Sequence, residues 1–386
     1  MKHLTATASL LAALSAATPV TQAQTSYGAQ TDGDWSDPAT WTPGGGPPGA
    51  VDDASIGSTT PGGSAATATV TLGGDTTADQ VYVGRGSGTN GTLDLNGNRL
   101  FANDLLIGTS NGTGSLIHNG GHFELTDRLT VDDGNSFLFD AADVSADLTV
   151  TGGASVTTAA TSNVSTDVNV TGNGSQLNLG AALTLSEDLE IYASSGSATV
   201  DAQGHDIGAR TIRVGSTAGE GQLLNDGAIT ADNLTIQDDS SVLLTGGDDV
   251  ILSSLRLDDG GILDIEQAVG ELAGLTLDGN SLSIDSNSLL SLSFDELLVS
   301  GLDWAFRWSN PTSGGDRVAS LMDYVTDGLI TWSAPWTVSV FDYGDGYTYI
   351  GYTDAQVPVP AGLGSASLLA GAGWLGWRRR RERRCR

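Results

Sequence analysis

The sequence predicts an all-β protein built around a parallel β-helix of about ten coils, and three observations support this. The 386 residues contain 53 Gly and 6% aromatic residues, and most of their polarity comes from Ser, Thr, Asn and Gly, a mixture that disfavours long helices. Short apolar segments recur every 19–24 residues between residues 81 and 277. Trp residues lie only outside residues 42–303, where they suit caps at the two ends of a solenoid.

The first 23 residues have the composition of a secretory signal peptide. Lys2 precedes an apolar run over residues 4–17, and the small-residue sequence Thr21-Gln22-Ala23 follows it. This order predicts cleavage after Ala23. Residues 24–66 then form an entry segment, whose Trp35 and Trp41 we expect to cover the N-terminal end of the β-helix.

The β-helix itself is predicted over residues 67–300. Ten apolar-X-apolar triplets mark a first set of strands, and a second set follows roughly ten residues after most triplets. Turn pairs such as Asn90-Gly91, Asn96-Gly97 and Gly152-Gly153 separate the sets, so each coil is predicted to contain two strands and two turns. A β-sandwich, which also uses short strands at regular spacing, is the alternative fold. The triplets begin at Val81, Leu105, Leu129, Leu148, Val168, Leu189, Ile212, Leu234, Leu255 and Leu275.

Residues 301–356 are richer in aromatic side chains and are predicted to form a C-terminal β cap. Two strand-like segments, 337–341 and 347–352, flank a Gly-Asp-Gly turn, which indicates a hairpin packed on the last coil. An exposed aromatic strip in contact with sugars is the alternative interpretation of the same residues.

Residues 357–386 form a distinct tail. A mostly apolar segment, 362–377, is just long enough to cross a bilayer as a helix when the preceding Val-Pro stretch is included. The positive-inside rule then places the following Arg cluster in the cytoplasm. The apolar segment lies between Val357-Pro358-Val359-Pro360-Ala361 and a cluster that includes Arg378, Arg379, Arg380 and Arg381.

This tail resembles the PEP-CTERM class of bacterial sorting signals, and VPVPA is similar to the VPLPA variant of that class. The resemblance implies Sec export and recognition by an exosortase-type transpeptidase. It also implies anchoring in the inner membrane before processing, followed by release or transfer to the cell surface. Val359 departs from the commoner motif, which has Glu at this position. The entry segment, in turn, resembles that of secreted, autotransporter-like β-helix proteins.

Charge narrows the possible partners. Residues 24–356 contain 45 acidic residues and 8 Arg, which leaves a formal charge of −37 and argues against nucleic-acid binding. Such a surface attracts divalent cations, so weak calcium binding and contact with extracellular polysaccharide stay open. No cofactor is predicted, because calcium-loop motifs are absent and Gly residues between His118 and His122 disfavour a metal site there. The single Cys385 excludes an internal disulfide.

The sequence gives no enzymatic pattern. Polysaccharide lyases combine an acidic calcium cluster with an Arg or Lys base, whereas hydrolases use paired carboxylates. Lys is absent from residues 24–356, and Arg210, Arg213 and Arg256 lack a recurrent acidic partner in the sequence. We therefore predict no catalytic residues and a structural or adhesive role at a bacterial surface or in a biofilm matrix. A polysaccharide-binding or polysaccharide-degrading β-helix is the alternative.

Overall fold

A computed structural model of the chain describes most of the region between the two predicted terminal signals. The described residues are 23–59, 65–139, 142–144, 147–158, 163–164, 166–216, 219–245, 249–266, 274–293, 302–313, 315–334 and 338–353. The predicted signal peptide up to residue 22 and the predicted sorting tail lie outside them. Among the described helices, none is long and apolar enough to cross a membrane.

The described part of the chain is almost entirely β-structure. Its first strands are β1 Ser26–Ala29, β2 Gly33–Asp34, β3 Trp41–Thr42, β4 Asp53–Ile56, β5 Thr67–Thr71, β6 Thr76–Thr77, β7 Gln80–Val83, β8 Asn90–Asp94, β9 Arg99–Ile107, β10 Thr113–Ile117 and β11 His122–Val131. The middle strands are β12 Ser136–Phe139, β13 Ala142–Val144, β14 Asp147–Val150, β15 Ser155–Thr158, β16 Asn163–Val164, β17 Val168–Thr171, β18 Gln176–Asn178, β19 Leu183–Thr184, β20 Asp188–Tyr192, β21 Ser197–Asp201 and β22 Ile207–Val214. The last strands are β23 Glu220–Asn225, β24 Ile229–Ile236, β25 Ser241–Leu244, β26 Val250–Leu257, β27 Ile262–Glu266, β28 Leu275–Ile284, β29 Leu289–Ser293, β30 Leu302–Ser309, β31 Ile330–Ser333, β32 Ser339–Asp342 and β33 Tyr347–Thr353. A 3-10 turn, Pro38–Thr40, and one α-helix, α1 Val318–Thr326, complete the described elements.

The strands stack in parallel into a solenoid of about ten coils, which confirms the predicted β-helix. Each coil has three faces. The triplet face contains the predicted apolar triplets and runs from β4 and β7 to the end of β28. The leading face precedes it in each coil, for example in β19 and the first half of β22. The return face contains the second predicted strand set, from β5 to β29.

Nine of the ten predicted triplets lie in register on the triplet face. The first residue of each is directly opposite the first residue of the next, as in Leu189, Ile212 and Leu234. The tenth assignment is wrong, because Leu255 pairs with Leu282 and Leu275 belongs to the leading face. The connection between β27 and β28 is longer than earlier ones, and β28 has two more residues than β26 at its kink. The real tenth triplet therefore starts seven residues further along the chain, at Leu282.

The leading face was missed, since only two strands per coil were predicted. Its sequence signal is an alternation of apolar and polar residues directly before the triplet. In β24, for example, Ile229 and Ala231 alternate with polar residues before a two-residue kink and the triplet that starts at Leu234. Long strands β9, β11, β22, β24, β26 and β28 each follow both faces in this way.

The inward-facing apolar residues of all three faces form one continuous core. The first residue of each triplet from Val81 to Leu255 is fully buried, and so are the inward residues of the return face such as Leu93 and Leu263. Burying one such side chain contributes roughly 1.5–3 kcal/mol relative to exposure. One coil alone has no partner for these residues, so the stacking of neighbours is what stabilises each coil.

The return face is divided once. Strand β10 pairs with β8 and ends a four-stranded sheet, whereas β12 begins a separate nine-stranded sheet. At this division the buried side chain of Asn135 takes over part of the hydrogen bonding between coils. Its Oδ1 accepts from the backbone N–H of Gly114 at 2.9 Å, and its Nδ2 donates to the carbonyl of Gly112 at 3.3 Å.

The turns largely follow the sequence prediction. Asn96 and Asn119 adopt positive φ values of 47° and 44° and are each followed by a Gly with positive φ. Such left-handed turns favour Asn and Gly because a side chain with a bulkier Cβ substituent is disfavoured there. Asn90 differs, because it begins strand β8.

Aromatic residues close both ends of the solenoid. Trp35 and Trp41 are buried with their ring centroids 5.0 Å apart, and the Trp41 Nε1–H donates to the carbonyl of Trp35 at 2.8 Å. At the other end β32 and β33 form the predicted hairpin, which adds antiparallel to β30. The helix α1 in this cap was not predicted, although Leu321 and Tyr324 have helical spacing and pack toward the core.

A pair of adjacent substitutions tests the triplet face. We expect Leu148→Ala to destabilise the protein by about 2–5 kcal/mol because Leu148 is fully buried between neighbouring coils. The outward-facing Thr149→Ala should cost less than about 1 kcal/mol. Urea unfolding followed by circular dichroism measures both. Equal losses from the two substitutions would contradict the assigned inward and outward faces.

Candidate functional site

Most ion pairs on the outer surface connect side chains of neighbouring coils. The Arg210 guanidinium lies 2.7 Å from a Glu187 carboxylate oxygen and 3.1 Å from one of Asp188, both in the preceding coil. Arg213 contacts Glu190 in the same pair of coils. The sequence alone showed no recurrent acidic partner for these Arg residues, but each has an acidic partner about one repeat away in the sequence.

The same pattern occurs toward the N-terminal end. Arg128 lies 3.4 Å from Asp104, and Arg99 lies 3.7 Å from Glu124. The two partners of each pair lie in adjacent coils, about one coil length apart in the sequence. Arg256 differs, because it pairs with Asp258 of its own coil. Apart from the buried Asp104, most of these side chains are partly or largely exposed, so the exposed pairs contribute little stability individually. The ion pairs nevertheless engage the guanidinium groups of Arg210, Arg213 and Arg256, the Arg residues that were considered as candidate bases from the sequence.

The Asp-rich turns use their carboxylates in local hydrogen bonds. Asp285 accepts the backbone N–H of Asp259 from the adjacent coil at 2.8 Å and that of Asn287 at 2.9 Å. Although desolvation acts to raise it, these bonds and those from Ser288 lower the pKa of the Asp285 carboxyl. Asp133 likewise accepts the backbone N–H of Asn111. Some carboxylate oxygens of these turns are therefore engaged in hydrogen bonds that hold the backbone.

No group of three or more His, Cys, Asp or Glu side chains in the described ranges is arranged to hold a metal ion. His118 lies in the turn after β10, with its ring centroid 5.6 Å from that of Phe123. The His122 Nε2 lies 3.8 Å from a Glu124 carboxylate oxygen. The positive φ values of Asn119 and Gly120 between the two His residues confirm the predicted turn.

An N-terminal acidic corner is the most strongly buried group of carboxylates. We define it as Asp52, Asp53, Asp79 and Asp104, which lie beside the starts of β4, β7 and the triplet part of β9. Asp53 and Asp104 are buried, and no donor in the described part of the chain reaches Asp104 Oδ1. Sequence reasoning missed this corner because its members are about one coil apart and look like ordinary turn residues.

Burial raises the pKa values of two corner carboxyls. For Asp104, desolvation is the largest cause, the Arg128 charge opposes it, and the nearby Asp127 and Asp79 carboxylates add to it. Burial also raises the pKa of Asp53, where hydrogen bonds from Gln24 and Ser26 oppose the increase. Close carboxylates in a poorly solvated corner therefore disfavour full ionisation.

The C-terminal aromatic cluster comprises Trp304, Arg307, Phe341, Tyr343, Tyr347 and Tyr349. The Arg307 guanidinium lies 4.5 Å from the Trp304 ring centroid and 4.8 Å from that of Tyr347. Phe341 stacks on the buried Tyr349 at 5.6 Å. Burial, together with the Asp345 carboxylate, raises the pKa of the Tyr349 hydroxyl. Most ring faces are therefore used in the cap, whereas Tyr343 remains 45% exposed.

A cleft of about 350 Å³ separates α1 from the last coil and opens to solvent. Tyr324 fixes one wall, because its hydroxyl donates to the carbonyl of Leu282 at 2.9 Å. Burial raises the pKa of that hydroxyl further above its ordinary range. The cleft is lined by Ile284, Ser320, Asp323, Tyr324, Asp327 and Leu329.

The predicted sorting residues lie at or beyond the limits of the described chain. Ala23 is its first described residue, and Val357 to Ala361 and the Arg cluster from Arg378 to Arg381 fall outside it. No protein-family model, curated protein or solved structure matches the chain.

The raised pKa of Asp104 leads to a pH-dependent prediction. A carboxyl with a raised folded-state pKa binds its proton more tightly in the folded than in the unfolded chain, so its ionisation opposes folding. We expect the wild type to gain stability relative to Asp104→Asn as the pH falls from 7 toward about 4. Urea unfolding at several pH values measures this difference.

The matched control for that experiment is Asp232→Asn, an exposed carboxylate on a later coil. It reports the general effect of lowering the large negative charge. A stability difference between wild type and Asp104→Asn that stays constant with pH, or follows the Asp232→Asn control, would contradict the assigned environment of Asp104.

Proposed function

We propose that the protein is an exported, non-enzymatic structural or adhesive component of a bacterial surface or extracellular matrix. The observation that carries this proposal is the use of charged side chains along the rod. Guanidinium groups pair with carboxylates of the same or the neighbouring coil and do not converge on one cleft of the described surface. The paired residues are Arg99, Arg128, Arg210, Arg213 and Arg256.

The physical properties of the rod suit such a role. Ten coils at the usual strand spacing extend about 50 Å. The surplus of acidic residues keeps the surface hydrated and prevents close approach of identical rods unless cations screen them. Divalent cations or extracellular polysaccharide are the partners that this surface favours. Aromatic caps at both ends cover strands that would otherwise pair with other chains.

The sorting part of the proposal rests on the terminal sequences. The order of regions before Ala23 supports Sec-dependent export, and the VPVPA motif with its apolar segment and Arg cluster supports PEP-CTERM-type sorting. In this proposal a transpeptidase of the exosortase type acts near the Pro motif. The acidic body then reaches the surface without the cationic tail.

A double substitution in the motif tests the sorting step. We expect Pro358→Ala with Pro360→Ala to keep the tail on the exported protein, because the transpeptidase would no longer recognise the motif. Mass spectrometry of the C-terminal peptides, in a bacterium that carries such a transpeptidase, distinguishes the two forms. Pro311→Ala, in the cap, is the control that should leave processing unchanged. A mature surface protein that still ends at Arg386 would contradict the proposal.

Polysaccharide binding is the second candidate function, and the exposure of Tyr343 beside the C-terminal aromatic cluster favours it. Exposed aromatic rings are suited to contact with the apolar faces of sugars. If this function holds, Tyr343→Ala should weaken retention on an acidic-polysaccharide column, whereas the exposed Val51→Ala should not. Cleavage of the polysaccharide by the purified protein would contradict the non-enzymatic proposal.

A further inference from the structure

The N-terminal strap, defined as Gln24, Thr25 and Ser26, lies directly on the N-terminal acidic corner. The Gln24 Nε2 donates to Asp53 Oδ1 at 2.8 Å and to Asp79 Oδ2 at 3.1 Å. The Thr25 backbone N–H donates to Asp52 Oδ1 at 2.9 Å. The strap therefore joins carboxylates from two successive coils at the position where the chain enters the β-helix.

The groups that donate hydrogen bonds to these carboxylates are all neutral. Asp53 Oδ2 also accepts the Ser26 hydroxyl at 3.2 Å, and Asp52 Oδ2 accepts the Gly49 backbone N–H at 3.0 Å. Asp79 Oδ1 accepts the Asn103 side-chain amide. The three carboxylates repel one another, and burial adds to the cost of ionising Asp53. A positive charge placed at this position would lower that cost.

We propose that cleavage after Ala23 creates such a charge, and that the new α-ammonium group of Gln24 pairs with Asp52, Asp53 and Asp79 to fasten the N-terminal cap. This inference rests on the proposed export of the protein. A leader peptidase of the exporting cell hydrolyses the Ala23–Gln24 peptide bond with one water molecule. The products are a carboxylate on Ala23 and, at neutral pH, an ammonium group on Gln24.

The geometry places the new group within reach of the carboxylates. Three covalent bonds separate the backbone nitrogens of Gln24 and Thr25, and the latter is hydrogen-bonded to Asp52. The Gln24 nitrogen thus lies within about 7 Å of Asp52 Oδ1 before any movement of the freed terminus. In the uncleaved chain the same nitrogen is a neutral amide. Processing therefore adds one positive charge beside three negative ones.

Other titratable groups near the corner are mostly acidic. The Asp79 carboxylate acts on that of Asp104, which also pairs with Arg128 at 3.4 Å, and the Tyr82 hydroxyl lies close enough to interact with both Asp53 and Asp104. The cation that acts on Tyr82 is Arg85, whose guanidinium lies 4.5 Å from the ring centroid of that Tyr. The field at Gln24 is consequently negative and favours the protonated amine.

The composition of the chain allows a direct measurement. Lys2 is the only Lys, so a protein cleaved after Ala23 contains a single primary amine, the α-amine of Gln24. The full chain is exported from a bacterial host, its N-terminal peptide is identified by mass spectrometry, and an amine-reactive reagent is applied across a pH series. The rate of labelling reports the pKa of this amine. We expect a pKa about one unit above the ordinary α-amino range.

Three variants identify the cause of the shift. Asp79→Asn and Asp53→Asn should each move the amine pKa back toward its ordinary range, and Asp79→Asn keeps the test available if the buried Asp53 is needed for folding. The exposed Asp232→Asn on a later coil should leave the pKa unchanged. A normal amine pKa in the wild type, or equal effects of all three variants, would overturn the inference.

The remaining outcomes separate this inference from the proposed function. Retention of the protein in the cytoplasm with Lys2 intact would overturn the proposed export and this inference with it. An exported protein that begins at another residue, or whose Gln24 has cyclised with loss of ammonia, would overturn this inference alone. An exported protein that begins at Gln24 with a shifted amine supports both.

Discussion

Direct stacking of inward apolar residues in successive coils is the interaction on which the rest of the structure depends. The first residue of each triplet from Val81 to Leu255 is opposite the corresponding residue of its neighbours and is fully buried. Because side chains alternate between the two sides of a strand, a slip of one residue would turn an entire apolar set toward solvent. Register between coils is therefore required for a core to exist.

This constraint leaves the outward positions free to vary, and the chain uses them for charge. The middle residues of the triplets include Glu190, Arg213 and Arg256, which face solvent and pair locally. Acidic residues greatly outnumber basic ones, so the cost of their repulsion is limited by spreading them over the full length of the rod. In the N-terminal acidic corner, where carboxylates become buried, the surrounding chain supplies hydrogen-bond donors to every carboxylate oxygen except Asp104 Oδ1. The surplus of acidic residues gives the rod a hydrated surface with a negative potential.

Sequence reasoning recovered the parts of the fold that repeat and missed those that depend on position between coils. The triplets were found because Leu189, Ile212 and Leu234 recur at nearly constant spacing. The leading-face strands were not recognised, because inward residues such as Ala231 are small. Their apolar-polar alternation also continues into the triplet after a kink, so the two strands look like one. The acidic partners of Arg210 were not recognised, because they lie one coil length away in the sequence and no local pattern shows that distance. For the same reason the acidic corner required the structure, whereas the processing site beside it was predicted from composition alone.

Deletion of one coil in register tests the stacking most directly. Thr211 is opposite Asn233, so removal of the residues from Thr211 to Asp232 joins Arg210 to a residue in the equivalent position of the next coil. The account predicts a folded, cooperative rod shorter by about 4.8 Å in small-angle X-ray scattering. Removal of only the first part of that stretch, from Thr211 to Gly219, should disrupt the coils on either side, because it deletes the triplet strand of one coil and leaves the return strand β23 of the same coil. Equal disruption by both deletions, or equal tolerance of both, would contradict the account.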